Sequence, residues 1–231
     1  MPVDTEPMGD TALLLRLGNG IDATVNAHVH ALAEAIRQVD AGDIVDVVPA
    51  YASVLVRHRP LDPHARTRLH RRLADLAGES FDATPCEHGT RHEIPVCYGG
   101  EHGRDLASLA QGHGMAEQQV IDLHVAPEYR VAMTGFAPGF PYMLGLDARL
   151  ATPRHKTPRT RVAAGSVGIA GTQTGIYPGE LPGGWQLIGR TPLVLFHPDD
   201  ADRPCLLQPG DRVRFRAIDE TRFDALQATR C

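Results

Sequence analysis

What this chain lacks narrows its chemistry. No apolar run reaches the 18 or so residues needed to cross a bilayer, and the first ten residues, MPVDTEPMGD, are acidic and carry no signal-peptide core. There is no excess of positive charge: 23 Lys and Arg stand against 28 Asp and Glu, a net charge of -5. A general attraction for nucleic acid or an anionic membrane is thereby excluded, and either partner would require a local patch. Cysteine is scarce, with four in 231 residues (Cys86, Cys97, Cys205 and Cys231), and no two form a Cys-x-x-Cys pair. Reduced thiols in a cytoplasmic protein are therefore expected, rather than a disulfide frame. The phosphate-cradling GxxxxGK[ST] is absent, and no GxGxxG follows a strand. Nor is AAGSVGIAG around Ser166 a G-x-S-x-G elbow, because one glycine adjoins the serine and the other is wrongly spaced.

What remains is an ordinary globular composition, 42% hydrophobic and 22% charged, long enough for one large or two small domains. Two textures divide it. Up to about residue 77 the pattern is β-α-β-β-α. A strand is expected at 11–17 and a helix at 22–39, with Val25, Val29, Leu32 and Ile36 on one stripe and Asp22 as its cap. Strands follow at 44–48 and 52–56, then a helix at 63–77 that Pro63 can open. Residues 78–90 read as a linker, with the domain boundary placed between residues 84 and 85.

The second texture is a strand at 91–98, short helices at 104–110 and 116–124, and then many short strands between Gly and Pro turns. These strands are expected at 129–134, 162–164, 168–170, 185–189, 193–196 and 212–217, as in a barrel or sandwich. Residues 1–84 thus form a small α+β domain and 85–231 a mainly antiparallel β-barrel domain with short helices.

Glycine, proline and aromatic residues concentrate between residues 133 and 190. Phe136, Phe140, Tyr142, Tyr177 and Trp185 are expected to wall an apolar pocket, with Gln173 and Arg159 supplying polarity; the same aromatics also suit a plain core. Arg159 lies in an acid-free basic run with Arg154, His155, Lys156 and Arg161, and its planar fork suits a carboxylate or phosphate. Asp147 and Glu180 are the acids near enough to act as bases. His124 ends a helix, where the helix dipole favours its cation, where it can relay protons, or where it simply satisfies a carbonyl. Of Cys86, His88, His92 and Cys97 only His88 and His92 have the paired spacing of a structural zinc site, so no metal is expected.

Several phrases together carry a resemblance: VPAYASVLV, IPVCYGGEHGRDL, TGFAPGFPYMLGLDARLATPR, AAGSVGIAGTQTGIYPGELPGGWQLIGRTPLVLFHP and LLQPGDRVRF. The chain resembles the B-subunit family of ATP-dependent 5-oxoprolinase, also described as allophanate hydrolase subunit 1 and as relatives of a sporulation histidine-kinase inhibitor. That resemblance implies a cyclophilin-like C-terminal barrel, the C and A subunits as partners, and cleavage of 5-oxo-L-proline to L-glutamate with ATP hydrolysis. ATP is expected mainly on one of those partners, and the isolated chain is expected to be inactive. The family pattern falls on Gly135, Phe136, Pro138, Gly139, Phe140, Pro158 and Arg159, then on Gly165, Ser166, Gln173, Thr174, Gly175, Tyr177, Trp185, Gln186 and Arg190. Ser166 and Gln173 are the candidates to orient a carbonyl, and no nucleophile is assigned. The resemblance also leaves open two other roles, inhibition of a sensor histidine kinase and a part in urea or allophanate breakdown.

Overall fold

The structure, a computed structural model, describes residues 3–39, 42–78 and 89–229. The chain divides into two compact units, Met1–His88 and Gly89–Cys231. The boundary expected at 84/85, and Cys86, His88 and Cys231 with it, lies outside the described residues.

In the first unit, β1 (Asp4–Pro7), β2 (Ala12–Arg16), β3 (Ile44–Pro49) and β4 (Ser53–His58) form an antiparallel sheet in the order β1-β2-β4-β3. Helices α1 (Ala23–Gln38) and α2 (Pro63–Gly78) complete it. Apolar residues recur along each helix at spacings of three and four, so each presents one stripe. Val29, Leu32 and Ile36 of α1 and Leu69 and Leu73 of α2 share a core with Leu13, Leu15, Val54 and Val56 of the strands. Asp22 caps α1 by accepting from the backbone N–H groups of Thr24 and Val25 at 2.8 and 2.9 Å.

The second unit contains β5 (Arg91–Tyr98), α3 (Leu106–Gly112), α4 (Glu117–Val125), β6 (Tyr129–Thr134) and β7 (Pro141–Leu144). It continues with β8 (Arg159–Val162), β9 (Ser166–Ala170), β10 (Gln173–Ile176), β11 (Leu181–Gly183), β12 (Gln186–Arg190), β13 (Arg212–Ile218) and α5 (Glu220–Ala228). Seven strands close into a barrel in the order β10-β7-β6-β13-β5-β12-β9, with β9 pairing back onto β10. Every pairing is antiparallel except β13 with β5. This is the cyclophilin-like, mainly antiparallel barrel. The remaining two strands, β8 and β11, form a separate ribbon.

The barrel interior is apolar, with Val96, Val131, Met143, Val167, Ile169, Ile176 and Ile188 turned inward. One polar chain crosses it. His124 is fully buried, its Nδ1 2.8 Å from the Tyr98 hydroxyl and its Nε2 3.0 Å from Thr174 Oγ1. Thr174 donates to the Gly168 carbonyl, so the imidazole N–H sits on Nε2 and Tyr98 donates to Nδ1. Burial pulls the His124 pKa down to about 3. The expectation of a cation favoured by the helix dipole is thus corrected: loss of solvent outweighs the dipole, and the ring is a neutral bridge.

Two further expectations change. Residues 193–196 do not form a strand and make one bridge, Phe196 to Cys205. Pro192, Pro198 and Pro204 remove ladder donors there. The strand expected at 162–164 is centred earlier, at Arg159–Val162, and Arg159 is its first residue rather than part of a loop.

An aromatic cleft outside the barrel wall

Strands of the barrel show two faces. On β9, β10 and β12 the residues between the core positions are small or apolar: Gly168, Ala170, Gly175 and Leu187. Phe140, Tyr177 and Trp185 pack on that outer face with Val162, Ala170 and Leu187 in a second cluster. Gly175 permits the approach, since a Cβ there would lie 2.8 Å from the Pro141 carbonyl oxygen and 3.1 Å from the Phe140 ring. Phe140 meets Tyr177 and Trp185 edge to face at 5.2 and 5.4 Å, and Tyr142 lies tilted against Phe140 at 4.9 Å. Such contacts stabilise by roughly 0.5–1.5 kcal/mol each beyond the area they bury.

Above this cluster lies a cleft of about 290 Å³. Phe136, Phe140, Tyr142, Tyr177 and Trp185 form its apolar walls, Pro158 and Pro182 stiffen its rim, and Gly183 and Gly184 complete the lining. Phe136 is 61% exposed and holds φ at +67°, a left-handed backbone that costs an aromatic residue about 1–2 kcal/mol. Burial raises the phenol pKa of both Tyr142 and Tyr177, so both remain neutral hydroxyls.

Two groups bring polarity to the cleft, Arg154 and His155. The Arg154 guanidinium stands 5.8 Å from the centre of the Trp185 ring. No ion pair engages it among the described residues, so its charge faces the cleft. Their loop is tied down at three points. Gln186 Nε2 donates to the Pro153 carbonyl at 2.9 Å, the His155 N–H donates to Gly184 O at 2.7 Å, and Thr152 bridges to Gly171.

Behind the loop sits Asp105, 5% exposed, at the head of α3. Its Oδ1 accepts from Arg159 Nη2 at 2.6 Å and its Oδ2 from the Leu187 N–H at 2.7 Å. His155 Nε2 lies 3.3 Å from the same Oδ2, at ion-pair distance but out of line for a hydrogen bond.

Of the residues expected to contact substrate, Phe136, Phe140, Tyr177 and Trp185 line the cleft. Arg159 and Gln173 do not. The Arg159 guanidinium is engaged by Asp105 and points its Nη1 toward the Trp185 carbonyl at 3.5 Å, so Arg154 is the cation that faces the cleft. Gln173 and Ser166 are buried in β10 and β9 away from it. Both acids read as bases are paired. Asp147 accepts from Arg149 at 2.6 Å, and that contact lowers its pKa to about 2; Glu180 accepts from Nε and Nη2 of Arg161, each at 2.9 Å. His92 pairs with Asp211, and Cys97 is buried. Asp105 escapes sequence reasoning because the helix expected at 104–110 takes it into its first turn, where an acid is unremarkable; the helix in fact begins at Leu106. Its carboxylate gives α3 no capping bond.

The comparisons agree on one lineage. The model of the carboxyltransferase domain, subdomain C and D, matches residues 3–207. The chain is similar to the 5-oxoprolinase B subunit of Bacillus subtilis (strain 168), 42% identical over 95% of both chains. It is also similar to the 5-oxoprolinase B subunit of Escherichia coli O157:H7, 44% identical over 90% of this chain and 93% of that one. A crystal structure of the Kluyveromyces lactis urea amidolyase superposes with a TM-score of 0.77 at 22% identity, covering 96% of this chain and 15% of that chain, a likeness of fold alone. The chain belongs to the carboxyltransferase subdomain C and D family, and within it to the 5-oxoprolinase B-subunit proteins.

Proposed function

We propose that this chain is the B subunit of an ATP-dependent 5-oxoprolinase complex that opens 5-oxo-L-proline to L-glutamate, and that the aromatic cleft receives the substrate. The observation that carries the assignment of the cleft is the Arg154 guanidinium over Trp185, a cation with no acid partner among the described residues, at the mouth of an apolar, aromatic space of about 290 Å³. A five-membered lactam bearing one carboxylate matches both halves of that description: its planar ring stacks on the aromatics, and its carboxylate meets the guanidinium.

The lactam carbonyl is resonance-stabilised, so ATP is needed to activate it. The sequence carries no Walker-type loop, and a single cation beside aromatic walls is a poor cradle for a triphosphate. ATP therefore belongs mainly to a partner, and this chain works in the cytoplasm with the A and C subunits. The exposed Phe136 also gives a second reading a foothold, an apolar anchor for a protein partner such as a sensor kinase.

The test is to purify the chain alone and with the A and C subunits, and to follow 5-oxoproline-dependent release of ADP and glutamate. Activity is expected only from the assembled complex, and Arg154→Ala is expected to raise KM for 5-oxoproline by about 10- to 100-fold. Turnover by the isolated chain would overturn the division of labour. An unchanged KM in Arg154→Ala would remove the carboxylate anchor.

A further inference from the structure

One cleft residue holds a position that substrate binding alone does not explain. His155 turns Nε2 inward, where it is buried, to within 3.3 Å of Asp105 Oδ2, while the side chain as a whole remains 32% exposed and lines the cleft. An ionised carboxylate only accepts, so the ring proton belongs on Nε2, and Nδ1 keeps its lone pair. Nδ1 has no partner among the described residues. The carboxylate is itself held by Arg159 Nη2 at 2.6 Å and the Leu187 N–H at 2.7 Å, and the His155 backbone is fixed by its bond to Gly184 O at 2.7 Å. Base, orienting carboxylate and a third group that locks the carboxylate thus stand in sequence, the arrangement by which a histidine is aimed as a proton acceptor.

We infer that His155 is the general base of this cleft and that Asp105 and Arg159 are its positioning residues. The inference rests on the reading of the cleft as the lactam site. As water attacks the lactam carbon, a C–O bond forms, one water O–H bond breaks and that proton passes to Nδ1. When the ring C–N bond breaks, the imidazolium returns the proton to the departing nitrogen, so the residue ends as it began. The carbonyl oxygen is activated beforehand by the γ-phosphoryl group of ATP, with ADP leaving, and the acyl phosphate that remains once the C–N bond has broken is cleaved by a second water to glutamate and phosphate. The offset between His155 and Asp105 is of the size that commonly tightens only when substrate is in place.

The charged and titratable groups around His155 come from each neighbouring element. Asp105 stands at the head of α3, Arg159 at the start of β8 and Arg154 beside it in the loop. The phenols of Tyr142 and Tyr177 line the same cleft, and burial raises both.

The experiment uses the assembled complex carrying His155→Gln, with His155→Asn as a second variant in case the first fails to assemble, followed by steady-state kinetics in 5-oxoproline from about pH 5.5 to 9. A general base predicts a kcat lowered about 100-fold or more, KM within about threefold of wild type, and loss of the acidic limb of the kcat profile. Asp105→Asn is expected to lower kcat by about 10- to 100-fold with the acidic limb displaced but present. A kcat within about threefold of wild type with the limb intact, or a raised KM at unchanged kcat, would overturn the assignment of His155 while leaving the cleft as the substrate site. A wild-type complex that does not consume 5-oxoproline would instead defeat the underlying reading, and this proposal with it.

Discussion

Asp105 and Leu187 exchange two hydrogen bonds: the Asp105 N–H donates to the Leu187 carbonyl at 2.9 Å, and the Leu187 N–H donates to Asp105 Oδ2 at 2.7 Å. This pair ties the head of α3 to β12 and holds a buried carboxylate against Arg159. Asp105→Ala leaves both the Leu187 N–H and the Arg159 cation without their partner. A loss of about 2–4 kcal/mol is expected, below the figure for a fully buried pair because Arg159 is partly solvated. Arg159→Met in the same background removes the stranded charge and should recover part of that loss. The single tryptophan, Trp185, lies in this unit, so its fluorescence in urea titrations reads the unit directly.

Gly183 faces the Tyr177 ring so closely that an added Cβ would overlap the hydroxyl and lie 2.7 Å from two ring carbons. Gly183→Ala therefore forces the ring or the β8–β11 ribbon to move. A destabilisation of about 1–3 kcal/mol is expected, with a roughly tenfold or greater loss of affinity for 5-oxoproline in the complex. Tyr177→Phe in the Gly183→Ala background deletes the hydroxyl but keeps the ring carbons, so rescue should be partial. Full rescue would show that only the hydroxyl constrains the ribbon.

Much of the scaffold is legible in the sequence because burial follows periodicity. The α1 stripe reads directly from Val29, Leu32 and Ile36, all fully buried, and Asp22 caps it as its position suggests. The elements that periodicity does not reveal lack that signal. β1 is Asp-Thr-Glu-Pro, exposed throughout and held by its ladder to β2 and an exposed Arg16–Glu6 pair, and α5 buries Phe223 alone. β10 hides because its inward Thr174 is polar and is satisfied by His124 and the Gly168 carbonyl, with His124 and Thr174 50 residues apart in the chain. In the cleft, five aromatics can be read from their clustering. The exchange of Arg154 for Arg159 cannot, because it depends on a carboxylate 54 residues away.

Phe136 provides a test of strain at the cleft mouth. Its φ of +67° suits glycine, and its ring is largely exposed apart from an edge contact with Phe140 at 5.5 Å. Phe136→Gly and Phe136→Ala remove the same ring, but only glycine relieves the backbone. The glycine variant should be more stable than the alanine variant by about 1 kcal/mol in urea unfolding. Both should bind the substrate or the partner subunits more weakly than wild type. Equal stabilities would mean that the left-handed backbone at this position carries no cost.

The buried bridge at His124 makes the stability of the second unit depend on pH, with a definite sign. Its pKa of about 3 in the folded protein lies below the ordinary 6.5, so between these values the unfolded chain takes up a proton that the folded one refuses. The contribution is therefore complete above pH 6.5 and is lost as the pH falls toward 3, by up to about 5 kcal/mol. His124→Gln keeps a donor for Thr174 but cannot titrate. It should cost about 1–3 kcal/mol at about pH 8, where the wild-type bridge is intact. The gap should narrow as the pH falls through about 6 and 5 and can invert, as the wild type alone loses stability to this proton. Urea midpoints read from Trp185 fluorescence at about pH 8, 6 and 5 decide the matter, because carboxylates that titrate in acid affect both proteins and cancel in the difference. A gap that stays constant across this range would mean that His124 gains its proton in the folded state, and that the Tyr98–His124–Thr174 chain is not the neutral bridge its geometry describes.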